Sequence, residues 1–460
     1  MTTRPSDEAA GAPVATDQPD TADDTTTAPG VRRVEGPGRT VLFAGAVVLA
    51  SALATVFYLM WSDWPFWSID FESYRTGANT VLTGGHLYEV TTAKAELFYN
   101  YTPLSAVLFI PLVILPYSLT TAVWIGLELL FLQLTVWTML DALGVHRTRH
   151  RAIATALVSA AALTVFAVDI DLRLGQINLL LMFLVLFDLV RGEGRRWQGV
   201  LIGFAAGIKL VPLFYVGYLL VTGRIRAALR ALGVFVAMLG LGFAILPSDS
   251  AVFWSGSGTA MNPDLVGEAD NLLNQSLRGM IARLTDGDAS YSLPWIIAAL
   301  CVGAAGLTAA AVLHRRGLRL RAILVCALTT VLVSPVSWEH HWVWVVPVLL
   351  FIAAHAWQER SARWWVLFAA TLTMVTVRFL DMAMPEPAKP GESLDEVRQS
   401  TADALSAATA LVDGFLLPNC IVLTGLVLLC VLAFPAVVAQ RPNTGATVPE
   451  PAGTAGQPGQ

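Results

Sequence analysis

Twelve apolar runs follow one another along this chain, at roughly 41–60, 103–115, 119–140, 152–168, 177–190, 197–222, 229–247, 291–313, 322–334, 342–357, 364–380 and 414–438. A helix needs about 20 apolar residues to cross a hydrocarbon core of about 30 Å. So many candidates in one chain exclude a soluble globule, a disordered scaffold and a single-anchor protein. The composition agrees: 55% of the 460 residues are apolar and 14% are charged. Several runs are too short to cross alone. Backbone that breaks at membrane depth must be shielded by protein or by a wet cavity. The expected fold is therefore all-α and polytopic, a bundle of about 10–12 helices with broken or re-entrant spans. Residues 1–39 and 439–460 have little to bury and read as disordered tails flanking one transmembrane domain at 40–438.

Arginine sets the expected orientation, because short cytoplasmic loops collect basic residues. Arg32, Arg33 and Arg39 precede the first run, and further clusters stand at Arg147/Arg149/Arg151, Arg191/Arg195/Arg196, Arg224/Arg226/Arg230, Arg315/Arg316/Arg319/Arg321 and Arg360/Arg363. With these inside a plasma membrane, 61–102, 169–176, 248–290, 335–341 and 381–413 fall on the outer face. Both tails fall in the cytoplasm. Segment 197–222 must then enter and return, with a break expected near Gly207-Ile208-Lys209. Pro103, Pro111 and Pro116 make 103–115 a second re-entrant candidate. A short surface helix is expected over 71–82, with Tyr74 and Val81 on its apolar side. Another is expected after the capping box at Ser393–Glu396.

The net charge is −5 and no basic stripe is present, so no nucleic-acid partner is expected. The four cysteines lie in apolar runs without metal-ligand spacing, and no metal or cofactor is expected. Five polar constellations on the expected outer loops and in the spans could carry chemistry. Asp70 follows the first run by about ten residues; it can be a general base or a helix N-cap. His340 and His341 stand in Ser334–Trp344, where they can meet a phosphate or belong to a hydrogen-bonded indole belt. In Asp169–Asn178, a metal-nucleotide reading of the Asp169-x-Asp171 pair is discounted. Arg173, Gln176 and Asn178 can donate to a phosphate or sugar, or close a polar hairpin tip. Lys209 is one of only three lysines and the only one inside an apolar run, so it must face a cavity, a carboxylate or a lipid phosphate. Asn274, Gln275, Ser276 and Arg278 are equally well explained as a solvated loop.

Taken in order, Asp70-Phe-Glu-Ser-Tyr74, Tyr99-Asn-Tyr-Thr-Pro103-Leu, Leu172-Arg-Leu-Gly-Gln-Ile-Asn178, Gly207-Ile-Lys-Leu-Val-Pro212, Asn274-Gln-Ser-Leu-Arg278-Gly and Ser334-Pro-Val-Ser-Trp-Glu-His-His-Trp342 resemble glycosyltransferase family 87. The resemblance covers about 40–438. Asn-Tyr-Thr-Pro-Leu departs from the family's more usual Tyr-Pro-Pro-Leu. The resemblance implies a GT-C membrane fold and a polyprenyl-phosphate sugar donor used on the outer face. It also implies a glycolipid acceptor. The family's members include actinobacterial α-(1→2)-mannosyltransferases of phosphatidylinositol mannosides and lipomannan, and an arabinofuranosyltransferase. It makes Asp70 the expected base. Arg173, Gln176, Asn178 and Lys209 match polar positions of the family's motifs, and His340 and His341 its paired histidines; we expect these six and Arg278 on the donor side, and Glu72, Tyr74, Asn274 and Gln275 on the acceptor side. A lipid or sugar transporter is the rival from another class.

Overall fold

A computed structural model of the chain describes residues 66–93, 95–256, 267–285, 293–376 and 418–437, together with isolated helical positions at Gly45, Leu49 and Leu53. The expected tails, most of the first run and the helix after Ser393 lie outside the described residues. What is described is helical, with no strand. Seventeen α-helices run in order: α1 Ile69–Thr83, α2 Pro103–Leu108, α3 Pro111–Ile114, α4 Tyr117–Ala142, α5 Thr148–Ala162, α6 Phe166–Leu174, α7 Asn178–Arg191, α8 Val200–Ile208, α9 Phe214–Val221, α10 Ile225–Ile245, α11 Pro247–Trp254, α12 Leu277–Leu284, α13 Leu293–Arg315, α14 Arg319–Val333, α15 Val345–Gln358, α16 Ala362–Thr376 and α17 Cys420–Val437. Among the described residues, four helical stretches are long and apolar enough to cross a bilayer: α4, α10, α13 and Glu339–Gln358. The pair α5 and α6, bent by 79° at their junction, is together long and apolar enough for a broken span or a re-entrant loop. The protein is thus an all-α, polytopic membrane protein.

Broken helices occur where the sequence places them. Run 103–115 is two short helices, each opened by a proline at its first turn, where the missing N–H costs nothing. Run 197–222 is α8, a break at Lys209, a 3-10 turn over Val211–Leu213 and then α9. Pro212 cannot donate to a continuing helix, which fixes the interruption there.

One seam sets where that break lies. Gly199, Gly203 and Gly207 recur every fourth residue and share one face of α8. A Cβ on Gly199 would come 2.1 Å from the carbonyl oxygen of Ala227. One on Gly203 would come 2.3 Å from that of Ala231, and one on Gly207 would meet the Met238 sulfur at 2.3 Å. Small residues let the backbones of α8 and α10 touch, the usual way helices associate without help from water. The seam ends two residues before Lys209 and delivers its side chain to the interior.

Two expectations need correction. Residues 169–176 are not a hairpin tip: 169–174 continue α6, and Gly175 closes it with φ 71°. The cause is Gly175, whose left-handed conformation ends a helix cheaply and lets 5→2 bonding satisfy its last carbonyls. Helix α1 exists, but Tyr74 does not rest on lipid. Its ring is fully buried, stacked on Phe109 and edge-on to Tyr101, because a buried phenol needs hydrogen-bond partners that only the protein interior supplies.

Gly203→Val should prevent α8 and α10 from closing. Overpacking of about 1–3 kcal/mol is expected, read as a lower melting temperature of the detergent-purified protein and a smaller monodisperse peak than wild type.

Candidate active site

Helix α1 begins beneath an unusual residue. Ser68, at its N-cap, is left-handed (φ 58°) and caps nothing with its side chain. A non-glycine residue in that region needs outside support. Its N–H donates to the Arg173 carbonyl at 3.0 Å, and its own carbonyl accepts from Glu72 at 2.7 Å. The turn after α6 therefore holds the start of α1. Gly175 sits directly against it: a Cβ there would lie 2.6 Å from the Cβ of Phe71. Trp124 Nε1 donates to the Gly175 carbonyl at 2.9 Å and pins the turn from α4. Asp70 is thus not an N-cap. It lies inside the first turn of α1 and faces a cavity of about 910 Å³.

That cavity gathers Asp70, Gln176, Lys209, His340 and His341 from four separate segments. Burial pushes the Asp70 carboxyl up to about 6, with the Lys209 charge and the Gln176 amide drawing it partly back. Gln176 is oriented by two phenols: its Oε1 lies 3.1 Å from each of the Tyr74 and Tyr101 hydroxyls, which are 2.9 Å apart and share their two protons among these three contacts. This network leaves the amide nitrogen for Asp70.

Lys209 emerges from the break after α8. Its Nζ lies 3.2 Å from His341 Nε2, 3.3 Å from Asn178 Oδ1 and 3.5 Å from the Tyr101 hydroxyl, and 5.3 Å from the centre of the Tyr101 ring. Asn178 is itself held by donation to Asp171 at 2.8 Å. The broken end of α8 leaves carbonyls without helical partners. The Thr102 hydroxyl donates to the Gly207 carbonyl, and the Thr102 N–H reaches Ile208 O at 3.5 Å. Proline could supply neither donor, so the threonine in Asn-Tyr-Thr-Pro-Leu has a local task in this chain.

The histidines ride on a 3-10 turn, Glu339–Trp344. Their rings meet edge to face with centroids 4.7 Å apart. Both ring nitrogens of His340 lack a hydrogen-bond partner among the described residues. The segment before the turn is clamped by Asn274: its Oδ1 accepts from Ser337 N at 3.0 Å, and its Nδ2 donates to Ala269 O at 3.2 Å and Pro335 O at 3.4 Å. Gln275 donates to Leu272 O at 2.6 Å and Pro418 O at 2.8 Å, tying the same loop to the approach of α17.

The other residues singled out in the sequence stand back from the cavity. Asn178, Tyr74, Asn274 and Gln275 lie behind its wall. Arg173 is ion-paired with Asp169 at 2.7 Å and lies over Trp67. Arg278 is fully buried near the Trp295 ring, 6.0 Å from its centre, and Glu72 is not part of the cavity lining. Asp169 and Asp171 are two positions apart on α6, about 200° around the helix. One pairs with Arg173 and the other accepts from Asn178, so they do not form a joint site. Among the described residues no group of three His, Cys, Asp or Glu is placed to hold a metal ion. Tyr101, Asn100, Asn271, Trp338 and Glu339 also line the cavity. Tyr101 stands within a motif that the sequence marks. Its role under Lys209 depends on contacts 108 residues apart, which no local pattern reveals.

A buried carboxylate, an ammonium and two imidazoles line one hollow of this helical membrane protein, which makes the hollow the candidate active site. Residues 98–335 match glycosyltransferase family 87. The chain is 32% identical over 353 residues to the polyprenol-phosphate-mannose-dependent alpha-(1-2)-phosphatidylinositol mannoside mannosyltransferase of Mycolicibacterium smegmatis, covering 70% of this chain and 79% of that one. It is 32% identical over 361 residues to the protein so described in Mycobacterium tuberculosis, covering 75% and 84%. It is 30% identical over 309 residues to the corresponding pentamannoside mannosyltransferase of M. tuberculosis, covering 64% and 68%. No solved structure matches the chain. The chain belongs to glycosyltransferase family 87, and it is a glycosyltransferase.

Asn274→Ala should release the loop carrying the histidines. The loss of three buried hydrogen bonds predicts destabilisation of about 1–3 kcal/mol. A lower melting temperature and a reduced turnover number in the same preparation are the expected outcome.

Proposed function

We propose that this glycosyltransferase moves mannose from a polyprenyl-phosphate-mannose to a lipid-linked mannoside, forming an α-(1→2) link on the outer face of the plasma membrane. The observation that carries the reading is the placement of Asp70 and Lys209 on one cavity, with His340 and His341 beside the lysine. A transfer that inverts the anomeric centre needs one base and one site that receives negative charge. Asp70 takes the proton of the acceptor hydroxyl. The acceptor oxygen bonds to C1 of the sugar as the bond from C1 to the phosphate oxygen breaks, and that electron pair leaves with the polyprenyl phosphate. Lys209, with His340 and His341, stabilises the charge on the departing phosphate. A phosphate is a good leaving group, so the chain's own cation and imidazoles suffice.

Gln176 positions Asp70, and Asn178 and Tyr101 position Lys209. Arg173 supports the α1 start through its backbone, while Arg278, Asn274 and Gln275 belong to the framework behind the histidines. Glu72 and Tyr74 share α1 with Asp70 but stand off the cavity lining, where Tyr74 orients Gln176, so neither is assigned a contact with the acceptor. The mannose reading draws on the relatives' described activity, and the outer-face placement on the arginine clusters. The apolar wall of the cavity, including Leu210, Val211, Leu213 and Phe214, suits the lipid portion of such a donor.

With purified enzyme and a mannoside acceptor, polyprenyl-phosphate-mannose should yield product and polyprenyl-phosphate-arabinofuranose should not. Product from the arabinose donor alone overturns the sugar assignment. Substrate movement in proteoliposomes without glycoside formation overturns the transferase reading. Asp70→Asn should insert and fold but lose about 10²- to 10⁴-fold in turnover, the range for a general base. The base must be ionised to act. kcat/KM should therefore be flat above the Asp70 value of about 6 and fall tenfold per unit below it. A profile with no acid limb between pH 5 and 7 removes Asp70 as the base.

A further inference from the structure

A second hollow lies at the far end of the same helices. Thr330 and Val333 of α14 line the catalytic cavity, whereas Arg319 and Arg321 in its first turn line a separate cleft of about 400 Å³. On α15, which follows the histidine-bearing turn, Phe351, His355 and Gln358 line the cleft. At 1.5 Å per residue this puts the two hollows roughly 15–20 Å apart along the helices. The cleft stands among the arginine clusters that the sequence assigns to the cytoplasmic side.

Arg321 is the anomaly there. The residue is 9% exposed, its Nε has no hydrogen-bond partner, and no hydrogen bond or ion pair reaches its guanidinium among the described residues. Two aromatic rings flank it, Phe351 at 5.2 Å and Trp364 at 5.6 Å from their centres. Rings offset part of the desolvation but cannot accept its five N–H donors. Other charged groups are already engaged. Glu359, whose charge reaches Arg321, accepts from Trp364 Nε1 at 2.8 Å, and Glu193 on the cleft wall is paired with Arg319 at 3.0 Å. The same cleft receives the N-terminus of α14, which has no side-chain cap. Its first N–H groups and the helix dipole favour an anion.

We propose that this cleft binds a phosphate group, held by Arg321 and the open N-terminus of α14, and that its source is the headgroup of an anionic membrane lipid. A phosphate matches a guanidinium bidentately and has oxygens left for the backbone N–H groups. Leu143, Leu189, Val190 and Ile323 give the wall an apolar stretch, which suits the glycerol and upper acyl carbons. Trp357, 77% exposed beside His355 and Gln358, stands where an indole anchors in the headgroup layer. The site is independent of the transfer chemistry.

The test uses the full-length protein in detergent, titrated with phosphatidylglycerol or phosphatidylcholine and read by native mass spectrometry. Inorganic phosphate is added in a third arm and read by thermal shift. Wild type should retain phosphatidylglycerol about tenfold better than phosphatidylcholine, and Arg321→Gln should abolish that preference. Ala142→Trp narrows the cleft from the α4 end of its lining without changing the arginine and should abolish it as well, so the result does not hang on one variant's folding. Asp70→Asn should keep the preference, which separates this site from the catalytic one. Stabilisation by inorganic phosphate that depends on Arg321, with no lipid preference, overturns the lipid source and leaves a soluble phosphate as the ligand. Equal retention of both lipids without a phosphate effect, or a preference unchanged in both cleft variants, overturns the site.

Discussion

An ammonium inside a membrane protein is the constraint around which this structure is arranged. Lys209 cannot stay charged in hydrocarbon without compensation, a cost of several kcal/mol. The fold offsets it with three polar contacts and an aromatic face, drawn from Tyr101, Asn178 and His341. Satisfying that one group forces α6, α7, the break after α8 and the histidine turn into a common neighbourhood. Asp70 arrives there on α1, so base and cation share a hollow without neutralising each other by direct contact.

The helix breaks follow from the same requirement. A continuous helix through 197–222 would carry Lys209 along its flank, not into the interior. The glycine seam of α8 holds the helix against α10 until the chain turns inward, and Thr102 covers the carbonyls that the turn exposes. At the other side of the hollow, the left-handed Ser68 and Gly175 make complementary turns that fit α1 against α6. Irregular backbone is concentrated where functional side chains must point inward, and regular helix carries the remainder.

Much of this was legible from residue order. The apolar runs and their prolines specify an all-α membrane fold and place the breaks at 103–116 and near Lys209. Of the polar residues singled out from the sequence, Asp70, Gln176, Lys209, His340 and His341 line the cavity, and the others stand behind it. Distances between runs were not legible, because hydropathy records how deep a residue can lie and not which neighbour it meets. Residues 169–174 look like a loop because three of the six are charged, yet they are helical; those charges are taken up by the Asp169–Arg173 pair and by the donation of Asn178 to Asp171. Asn274 and Gln275 look like free ligands because they are polar. Their amides are consumed by the backbone of Ala269, Pro335, Leu272 and Pro418, contacts that reach across up to 143 residues. Tyr101 and Thr102 owe their importance to partners more than a hundred positions away.

The chain order of the groups around Lys209 bears on how such a protein can be made. Asp70, Tyr101, Thr102, Asp171 and Asn178 all precede it, and His340 and His341 follow. As the lysine leaves the ribosome, nearly everything that will shelter it has already been synthesised and can be waiting in the bilayer. A topology with those partners downstream would leave a bare cation in the lipid for the time needed to translate them. Here the translocon has to tolerate it only for as long as a short helix takes to dock.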